Sequence, residues 1–545
     1  MNHSFTIRTA IFGLAVMLLA AAAPVSATTY FVGMTGNDAN PGTTRTNTWR
    51  TIQSAVDRVI PGDTIIILAG TYAGALISTS GSSNAPITLK ADAGASVLLN
   101  VKNPIGGNAT HYSILEFEDW GYGPVSYWII QGFEIANYPY AGIDIRGAAS
   151  QPNRGFIVLS NRVHNSVSRG ILTSFTDDVL IVGNESYSNG EHGVYCSNSG
   201  DRPIVRCNRL HHNADCGLHI NADATEGGDG IISDGLVENN IIYSNGTGGA
   251  GINMDGVTRT TVRNNLIYAS PNRSGIALFR YNAAVSSSEN RILNNTILMA
   301  TNGGWAINLT DVACVSNTIL NNIVLSGNAS YGSITLPASN LVGFTSDYNV
   351  VMNSFSTNGF SASISLAAWQ ALGRDTHSVL ATPVALFVNP TNDFHLRTNS
   401  PAIDCGATLP DVPFDMEGTR RGLDGNKDVT NSWDAGLYEY ISEVTDSDND
   451  GMKDRAEWIA GTDLLNNGSR LAINAISITA QGNPIMWWTS QVGRVYSILF
   501  GTNLITGFVS QATNLSANAP MNVYTAAPSS SAEQFYKVSV TYPGY

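Results

Sequence analysis

The sequence predicts an all-β chain whose short strands stack into a solenoid, a parallel β-helix. A glycine followed by apolar and polar residues in alternation recurs along the chain, and an asparagine lies nine to eleven residues before each repeat from the second onward. Periods of this size are typical of solenoids. The repeats are Gly142-Ile143-Asp144-Ile145, Gly170-Ile171-Leu172-Thr173, Gly193-Val194-Tyr195-Cys196, Gly217-Leu218-His219-Ile220, Gly251-Ile252-Asn253-Met254, Gly275-Ile276-Ala277-Leu278 and the variant Ala306-Ile307-Asn308-Leu309.

Each repeat, here called a rung, also carries short β-branched stretches such as Ile181-Val182 and Ile241-Ile242 beside its asparagine. A short strand buries little apolar surface alone. Rungs stacked about 4.8 Å apart share one core and pair their backbone groups with the rungs on either side. The asparagines of successive rungs are Asn161, Asn184, Asn208, Asn240, Asn265 and Asn295.

These repeats resemble the right-handed parallel β-helix of pectate lyases and related secreted carbohydrate-active proteins, and the resemblance covers most of the chain. It implies that the asparagines form a ladder inside a turn. It also implies that the exposed face of one sheet forms a groove for an extended sugar chain. We expect the solenoid to span residues 73–400.

The composition excludes some partners. The 545 residues include only 13% charged residues, and the formal net charge is -14. This charge argues against nucleic acid and anionic membrane surfaces as partners. An anionic polysaccharide would need local arginines or a bridging cation.

The N-terminus predicts export. Arg8 precedes an apolar run from Ala10 to Ala23, and Val25-Ser26-Ala27 has the small residues of a cleavage site. We therefore expect a signal peptide over residues 1–27. No later apolar run reaches the length that spans a bilayer. The expected product is a monomer that is secreted to the cell surface, the periplasm or the medium.

Residues 28–72 predict an N-terminal cap. This segment contains the strand-like Tyr30-Phe31-Val32, the turn Asn40-Pro41-Gly42 and an amphipathic stretch from Thr51 to Val59. A short helix there would cover the open end of the solenoid, which otherwise exposes unpaired strand edges.

Three further segments follow the solenoid. Residues 401–440 resemble the closing segment of secreted bacterial β-helices, through Ser400-Pro401-Ala402-Ile403-Asp404 and Asp434-Ala435-Gly436-Leu437-Tyr438-Glu439. Residues 441–469 form an acidic linker. Residues 470–545 alternate polar and apolar residues around Trp487-Trp488, which predicts a small antiparallel β-domain. Its aromatic residues suit either a core or an attachment or carbohydrate-binding module.

The acidic linker predicts a calcium site. Carboxylates alternate with other residues and are followed by a glycine and a glutamate at the twelfth position, the arrangement that a hard cation with about seven oxygen ligands needs. The expected ligands are Asp446, Asp448, Asp450, Asp454 and Glu457. The loop resembles dockerin-like or thrombospondin type 3 loops, which implies a structural clip. The alternative is an acidic linker without an ion.

Five cysteines are an odd number without a CxxC pair, so they imply neither a full disulfide framework nor a zinc site. They are Cys196, Cys207, Cys216, Cys314 and Cys405. We expect buried free thiols, with a Cys207 to Cys216 bridge as the alternative.

Candidate site residues follow from the alternation of side chains along a strand, which sends residues two and four after each glycine away from the core. The predicted outward rows are Asp144, Leu172, Tyr195, His219, Asn253, Ala277 and Asn308, and Arg146, Ser174, Ser197, Asn221, Asp255, Phe279 and Thr310. The middle rungs bring Tyr195, His219 and Asp255 together, and His192 precedes a strand at the edge of the same face. These four are the candidate catalytic residues. The candidate substrate-binding residues are Asp144, Arg146, Asn221, Asn253, Arg280 and Asn308.

A long rung predicts an acidic loop beside the histidine. Gly217 and Gly251 are 34 residues apart, whereas the neighbouring rungs take 24. The excess carries Asp223, Glu226 and Asp229. These carboxylates suit an acid and base pair, a cation site or a solvated loop. Asp144 and Asp255 lie four rungs apart, about 19 Å, which is too far for a glycosidase pair.

Several β-helix lyases use a lysine base, whereas this chain has no lysine between Lys102 and Lys427. This departure argues against a lysine-based mechanism. An arginine base, or a histidine and tyrosine that exchange a proton, remain as alternatives. The arginines of this part of the chain include Arg146, Arg169, Arg202 and Arg280.

The leading hypothesis is a secreted protein that degrades an extracellular polysaccharide, with uronic acids as one candidate class, as a lyase or a glycoside hydrolase. One alternative is a glycan-binding adhesin or scaffold without catalysis, because fold does not settle function. Another is an epimerase, which shares the proton-abstraction step with a lyase.

Overall fold

The computed structural model describes residues 27–101, 113–118, 124–358, 363–425, 432–504, 507–527 and 533–542. The predicted signal peptide, except for Ala27, lies outside the described residues. Among the described residues, no helix is long and apolar enough to cross a membrane.

The fold is the predicted right-handed parallel β-helix, with about 11 turns. Each complete rung contributes one strand to each of three parallel sheets, which we call the first, second and third sheet in the order in which the chain enters them. In one rung, for example, the strands are Ile157–Leu159, Arg162–His164 and Arg169–Ser174. Every strand therefore pairs with the rungs before and after it.

The three sheets contain 35 strands between them in the described residues. The first sheet consists of Thr29–Val32, Thr64–Ile67, Ile87–Ala91, Trp128–Gln131, Ile157–Leu159, Leu180–Val182, Ile204–Arg206, Leu236–Glu238, Thr261–Arg263, Arg291–Leu293, Thr318–Leu320 and Thr345–Asp347. The second consists of Gly70–Ala73, Val97–Val101, Glu134–Ala136, Arg162–His164, Glu185–Tyr187, Arg209–His211, Ile241–Tyr243, Leu266–Tyr268, Thr296–Met299, Ile323–Ser326, Val350–Val351 and Val379–Leu380. The third consists of Ala75–Ile77, Leu115–Phe117, Ala141–Arg146, Arg169–Ser174, Val194–Ser197, Leu218–Asn221, Ala250–Asp255, Ser274–Phe279, Trp305–Leu309, Ile334–Thr335 and Phe355–Ser356.

The core lies inside the three sheets and runs the length of the solenoid. Inward positions of successive rungs stack into apolar columns, as the alternation of side chains requires. One such column on the third sheet is Ile143, Ile171, Val194, Leu218, Ile252, Ile276, Ile307 and Ile334, and each of these residues is fully buried.

The asparagine ladder is confirmed and lies in the tight turn between the first and second sheets. Each side-chain amide donates to the side-chain oxygen of the next asparagine at 2.9 to 3.1 Å, and also to a backbone carbonyl. The ladder runs beyond the predicted set to Asn322 and Asn349. The residue before each asparagine has a positive φ, for example 54° at Ser160, which lets the chain bend sharply between two strands.

The N-terminal end is covered by a helix over Ile52–Val56, shorter than the amphipathic stretch in the sequence. Thr51 caps this helix, and Ile52, Ala55 and Val56 join the solenoid core. The other helices are Leu366–Gln370, Pro383–Leu386 and Asp454–Ala460, with 3-10 turns at Ala224–Glu226 and Ala338–Leu341.

The remaining strands form small sheets. Two parallel pairs extend the third-sheet side of the rungs, and an antiparallel hairpin follows the solenoid. The C-terminal residues form two antiparallel sheets of three strands around Met486, Trp488 and Tyr496. These strands are Asn153–Arg154, Thr176–Asp177, Ile232–Ser233, Val257–Thr258, Phe387–Asn389, Asp393–Leu396, Ile473–Ile478, Pro484–Thr489, Val495–Gly501, Val509–Ser516, Met521–Thr525 and Phe535–Thr541.

Candidate functional site

The third sheet places the outward rows as the sequence predicts. Tyr195 lies beside His219, and His219 lies beside Asn253, on three successive rungs. Asn221 and Asp255 are neighbours in the parallel row. The register thus brings the middle candidate residues together on one face.

Four of these outward residues are buried, and for them the sequence-based expectation of solvent exposure is wrong. Asp144 is 0% exposed, Asp255 2% and Asn308 4%, and Asn253 is also buried. Adjacent rungs, outward neighbours and loops cover them. Asp144, for example, accepts a hydrogen bond from Ser113 and pairs with Arg146 at 2.7 Å. Its carboxylate is thus already neutralised within the protein.

The chemical centre of this face is a cluster of three rings. The rings of Tyr195 and His219 stack with centroids 4.9 Å apart. His192 lies edge-on to both, and its Nε2 is 3.1 Å from Nδ1 of His219. Asn221 donates a hydrogen bond of 2.9 Å to the Tyr195 hydroxyl. The cluster is partly accessible, because Tyr195 and His219 are only half-buried.

Burial sets the protonation of the cluster. Burial and the charge of Arg169 lower the pKa of His219 to about 4. Burial, His219 and Arg169 lower the pKa of His192 to about 2. Burial raises the pKa of Tyr195, against the hydrogen bond from Asn221. The cluster therefore offers two neutral imidazoles and a protonated phenol near neutral pH.

Arg169 supplies the positive charge of the site. Its guanidinium lies 5.2 Å from the Tyr195 ring centre and 4.9 Å from that of Tyr140, and it pairs with Glu191 at 2.9 Å. Its Nε is buried without a hydrogen-bond partner among the described residues. The same holds for Oδ1 of Asn221. Buried polar atoms of this kind are satisfied by a ligand or by water.

The long rung forms the predicted loop, and only one of its carboxylates faces Asp255. Asn282 joins them: its backbone N–H donates to Asp255 at 3.3 Å and its side chain donates to Asp223 at 3.2 Å. Asp255 also accepts the N–H of Tyr281 at 2.8 Å. Burial raises the pKa of Asp255, against these backbone hydrogen bonds. Glu226 and Asp229 are exposed on the outer side of the loop.

The remaining substrate-binding candidates lie apart from the cluster. Arg146 is held by Asp144 and lies over the ring of Tyr140. Arg280 is half exposed and faces Asp311 at 3.7 Å. Asn308 lies two rungs beyond Asn253 in the same column.

All five cysteines are free, so the predicted alternative of a Cys207 to Cys216 bridge is wrong. Cys207 lies between the first and second sheets and is exposed, whereas Cys216 lies between the second and third sheets and is buried. Sequence reasoning missed that Cys216 lies beside His192 and His219. The available signal was that His192 and Cys216 each directly precede a strand glycine, which puts them in one column.

A second group of candidate ligands lies in the acidic loop before the helix Asp454–Ala460. One oxygen from each of Asp446, Asp448 and Asp450 lies within 4.8 Å of the others. Gly451, with a φ of 95°, turns the chain at the required place. Asp448 Oδ2 and Glu457 Oε2 are buried without a hydrogen-bond partner among the described residues. Burial and the neighbouring aspartates raise the pKa of Glu457 to about 7.

This donor set fits calcium. Carboxylate oxygens that share one loop and lack hydrogen-bond donors are the ligands that calcium prefers. Asp446 and Asp454 each accept hydrogen bonds on both oxygens, the former from backbone N–H groups and the latter from Ser447. Asp450 also pairs with Arg470 at 2.9 Å. The oxygens of Asp448 and Glu457 without a partner are therefore the ones that fit an ion directly.

Comparison with known proteins agrees with the fold. A family model described as a right handed beta helix region matches residues 123–228. No curated protein sequence matches the chain.

Solved structures of low sequence identity share the architecture. Pectate lyase Pel9A is 16% identical with a TM-score of 0.48, over 76% of this chain and 96% of that chain. An alginate lyase from Paenibacillus sp. str. FPU-7 is 17% identical with a TM-score of 0.37, over 52% and 94%. The A-module of the mannuronan C-5 epimerase AlgE4 from Azotobacter vinelandii is 15% identical with a TM-score of 0.35, over 59% and 89%. Likeness at this level concerns the fold alone.

Proposed function

We propose that the protein is a secreted enzyme that cleaves an extracellular, uronic-acid-containing polysaccharide by β-elimination along the third sheet. The observation that carries this proposal is the contact between a neutral histidine, a protonated tyrosine and an arginine on one accessible face. This set contains a base, an acid and a cation for the uronate. These three side chains could carry out β-elimination without a lysine.

The residues divide the reaction between them. The imidazole of His219 takes the proton from the carbon beside the uronate carboxylate. As the electrons form a double bond, the glycosidic oxygen leaves, and the hydroxyl of Tyr195 gives it a proton. Arg169 neutralises the carboxylate, which stabilises the negative charge that develops on this carbon and carboxylate. His192 is a positioning residue, because it holds His219 through the 3.1 Å contact.

Hydrolysis is the second candidate, and one observation favours it. Asp223 and Asp255 face the same residue, Asn282, and burial raises the pKa of Asp255 as a general acid requires. However, Asp255 is 2% exposed and accepts two backbone hydrogen bonds. A substrate would have to displace the loop at Tyr281 before it reached this carboxylate. We therefore place β-elimination first.

We also propose that calcium fills the acidic loop and acts as a structural clip. The buried, unpartnered oxygens of Asp448 and Glu457 support this proposal. The helix that carries Glu457 also carries Trp458, whose indole N–H donates to Thr419 in the closing segment at 3.0 Å. Arg494 of the C-terminal β-domain donates to the backbone carbonyls of Trp458 and Ile459. The clip thus joins the two segments on either side of it.

The test is a panel of neutral and acidic polysaccharides incubated with the calcium-loaded protein. New reducing ends and the absorbance of unsaturated products are followed together. A lyase gives both signals, and a hydrolase gives reducing ends alone. An altered uronate composition without cleavage would replace the proposal with epimerisation, and glycan binding without any product would replace it with an adhesin or scaffold.

Substitution tests the cluster itself. His219→Ala should reduce turnover by about 100-fold or more, because general acid–base groups typically contribute 10² to 10⁴. The matched control is His377→Ala, which removes a largely exposed histidine beside Asp347. The control should keep full turnover. Equal activity of the two variants would remove His219 from the mechanism.

A further inference from the structure

A thiol and two imidazoles meet at the edge of the third sheet, and the proposed reaction uses only the imidazoles. His192 and Cys216 occupy the same position on successive rungs, and His219 extends outward from the rung of Cys216. One donor atom from each of the three lies within 4.8 Å of the other two. The group therefore presents two nitrogen donors and one sulfur donor at one place.

The spacing of the nitrogens suits a shared ion. Zinc binds imidazole nitrogen at about 2.0 to 2.1 Å, so two nitrogens on one tetrahedral ion lie about 3.3 Å apart. The Nε2 atom of His192 and the Nδ1 atom of His219 are 3.1 Å apart. Among the described residues, the two rings hydrogen-bond to each other, and Nδ1 of His192 accepts the backbone N–H of Cys216 at 3.4 Å. This long contact is given up when the ion binds Nε2 and the ring proton moves to Nδ1. No carboxylate of the described residues competes for these nitrogens.

The backbone beside Cys216 leaves room for the sulfur atom. A Cβ atom on Gly249 would lie 2.3 Å from Sγ of Cys216, so only a glycine leaves room for the sulfur there. A divalent ion would supply the positive charge that a buried thiolate needs.

We propose that His192, Cys216 and His219 form a site for a zinc ion, reached from the outer face of the third sheet, where His219 is half-buried. Nitrogen and sulfur donors select a borderline-soft ion over calcium, and zinc has no electronic preference that would conflict with the arrangement. Three protein donors leave a coordination position for water or substrate. When the ion binds, the thiol proton leaves to solvent, and the proton between the two imidazoles moves to the outer nitrogen of its ring, so that both facing nitrogens can bind.

Binding has a consequence for the reaction, and this part rests on the proposed function. Zinc on Nδ1 of His219 keeps the ring proton on Nε2, so the imidazole can no longer accept the substrate proton. The ion therefore inhibits cleavage, and its removal restores it. The concentration of zinc outside the protein would thereby control the rate at which the polysaccharide is cleaved.

The test uses Co²⁺ as a visible substitute for zinc, with the full chain first saturated with calcium so that the acidic loop is filled. We expect the intense absorption bands of a tetrahedral cobalt–thiolate site and their loss on addition of zinc. Cys216→Ala should abolish the thiolate band and weaken cobalt binding roughly 100-fold or more. Cys314→Ala, which removes another buried thiol, should leave both unchanged.

His192→Gln provides a second variant, and thermal unfolding checks that each variant is folded. Absence of the bands in the wild-type protein would overturn the zinc site, as would bands of equal strength in Cys216→Ala. Turnover is measured separately on zinc-free protein. Cobalt binding without any turnover would overturn the proposed function and leave the zinc site standing, whereas turnover without cobalt binding would do the reverse.

Discussion

Asp144, Asp255 and Asn308 all point away from the solenoid core, and each is less than 5% exposed. Their polar atoms face neighbouring rungs and loops, so several of them support the face of the third sheet and do not contact solvent. The rings of His219 and Tyr195, with Arg169 beside them, remain partly accessible. At the residue scale, an outward side chain can contact a substrate only where rungs and loops of the protein do not already cover its polar atoms.

Asp255 illustrates the difference. Its two oxygens accept the backbone N–H groups of Tyr281 and Asn282, and asparagine offers only one acceptor oxygen. Asp255→Asn should therefore lower the free energy of unfolding by about 1 to 3 kcal/mol, the cost of an unsatisfied buried donor. Urea unfolding measures this loss, with the exposed Glu226→Gln in the same region as the control. An unchanged midpoint in Asp255→Asn would show that the loop does not depend on this carboxylate.

At the scale of elements, the turn between the first and second sheets contains the longest polar network of the solenoid. Its asparagines satisfy backbone groups at a place where the chain bends too sharply for a regular strand ladder. A second, shorter ladder of Asn189, Asn213 and Asn245 lies between the second and third sheets. Stacked turns are therefore hydrogen-bonded to the rungs on either side, as stacked strands are.

Removal of one member should break the ladder on both sides. Asn240 bonds to Asn208 and Asn265 and is 0% exposed. Asn240→Ala leaves buried partners unsatisfied and should cost about 1 to 3 kcal/mol of unfolding free energy. Asn302→Ala, at an exposed turn, is the control and should be neutral within about 0.5 kcal/mol. Equal denaturation midpoints for the two variants would contradict a stabilising ladder.

The acidic loop is a second element, and it contains buried carboxylate oxygens without a hydrogen-bond partner among the described residues. If calcium binds it, a concentration 100 times the dissociation constant stabilises the folded state by about 2.7 kcal/mol. Chelation should lower the unfolding midpoint, which calorimetry measures. Glu457→Gln should reduce this calcium dependence, and the exposed Glu443→Gln should retain it. An unfolding midpoint that changes with neither calcium nor chelator would contradict the calcium proposal.

At the scale of the whole molecule, the closing segment lies along the turn that holds the first ladder. Arg421 donates to Asn264, Asn294 donates to the backbone carbonyl of Asp434, and Gly436 donates to the carbonyl of Asn321. These contacts join residues more than 100 positions apart in the sequence. The segment thereby ties several rungs together and covers a polar edge of the solenoid.

This junction contains buried charges that make stability depend on pH. Burial raises the pKa of Glu439 to about 7, against the nearby Arg421, and burial also raises the pKa of Asp434. The folded protein thus holds a proton that the unfolded chain releases near its ordinary value of 4.5. The stability contributed by Glu439 is complete below that value and is lost as the pH rises to about 7.

Glu439→Gln tests the pH dependence. The variant cannot ionise, so its stability relative to wild type should improve as the pH rises from about 4.5 to about 7. Urea unfolding across this range gives the difference between the two proteins. Glu417→Gln, a carboxylate of the same segment that pairs with His395, is the comparison. A constant difference between wild type and Glu439→Gln would show that Glu439 stays ionised when folded.

The sequence by itself determined the rung, because the glycine repeat, the alternating side chains and the asparagine spacing are local patterns with one periodic solution. It thereby also determined that Tyr195, His219 and Asn253 are neighbours. Only the tertiary structure decided that Asp255 serves the loop at Tyr281, that Cys216 joins the two histidines, and that the closing segment lies on the asparagine turn. Those outcomes depend on side-chain directions and on loops that fold back across rungs. A one-dimensional repeat specifies stacking, whereas contacts between non-repeating segments depend on packing in three dimensions.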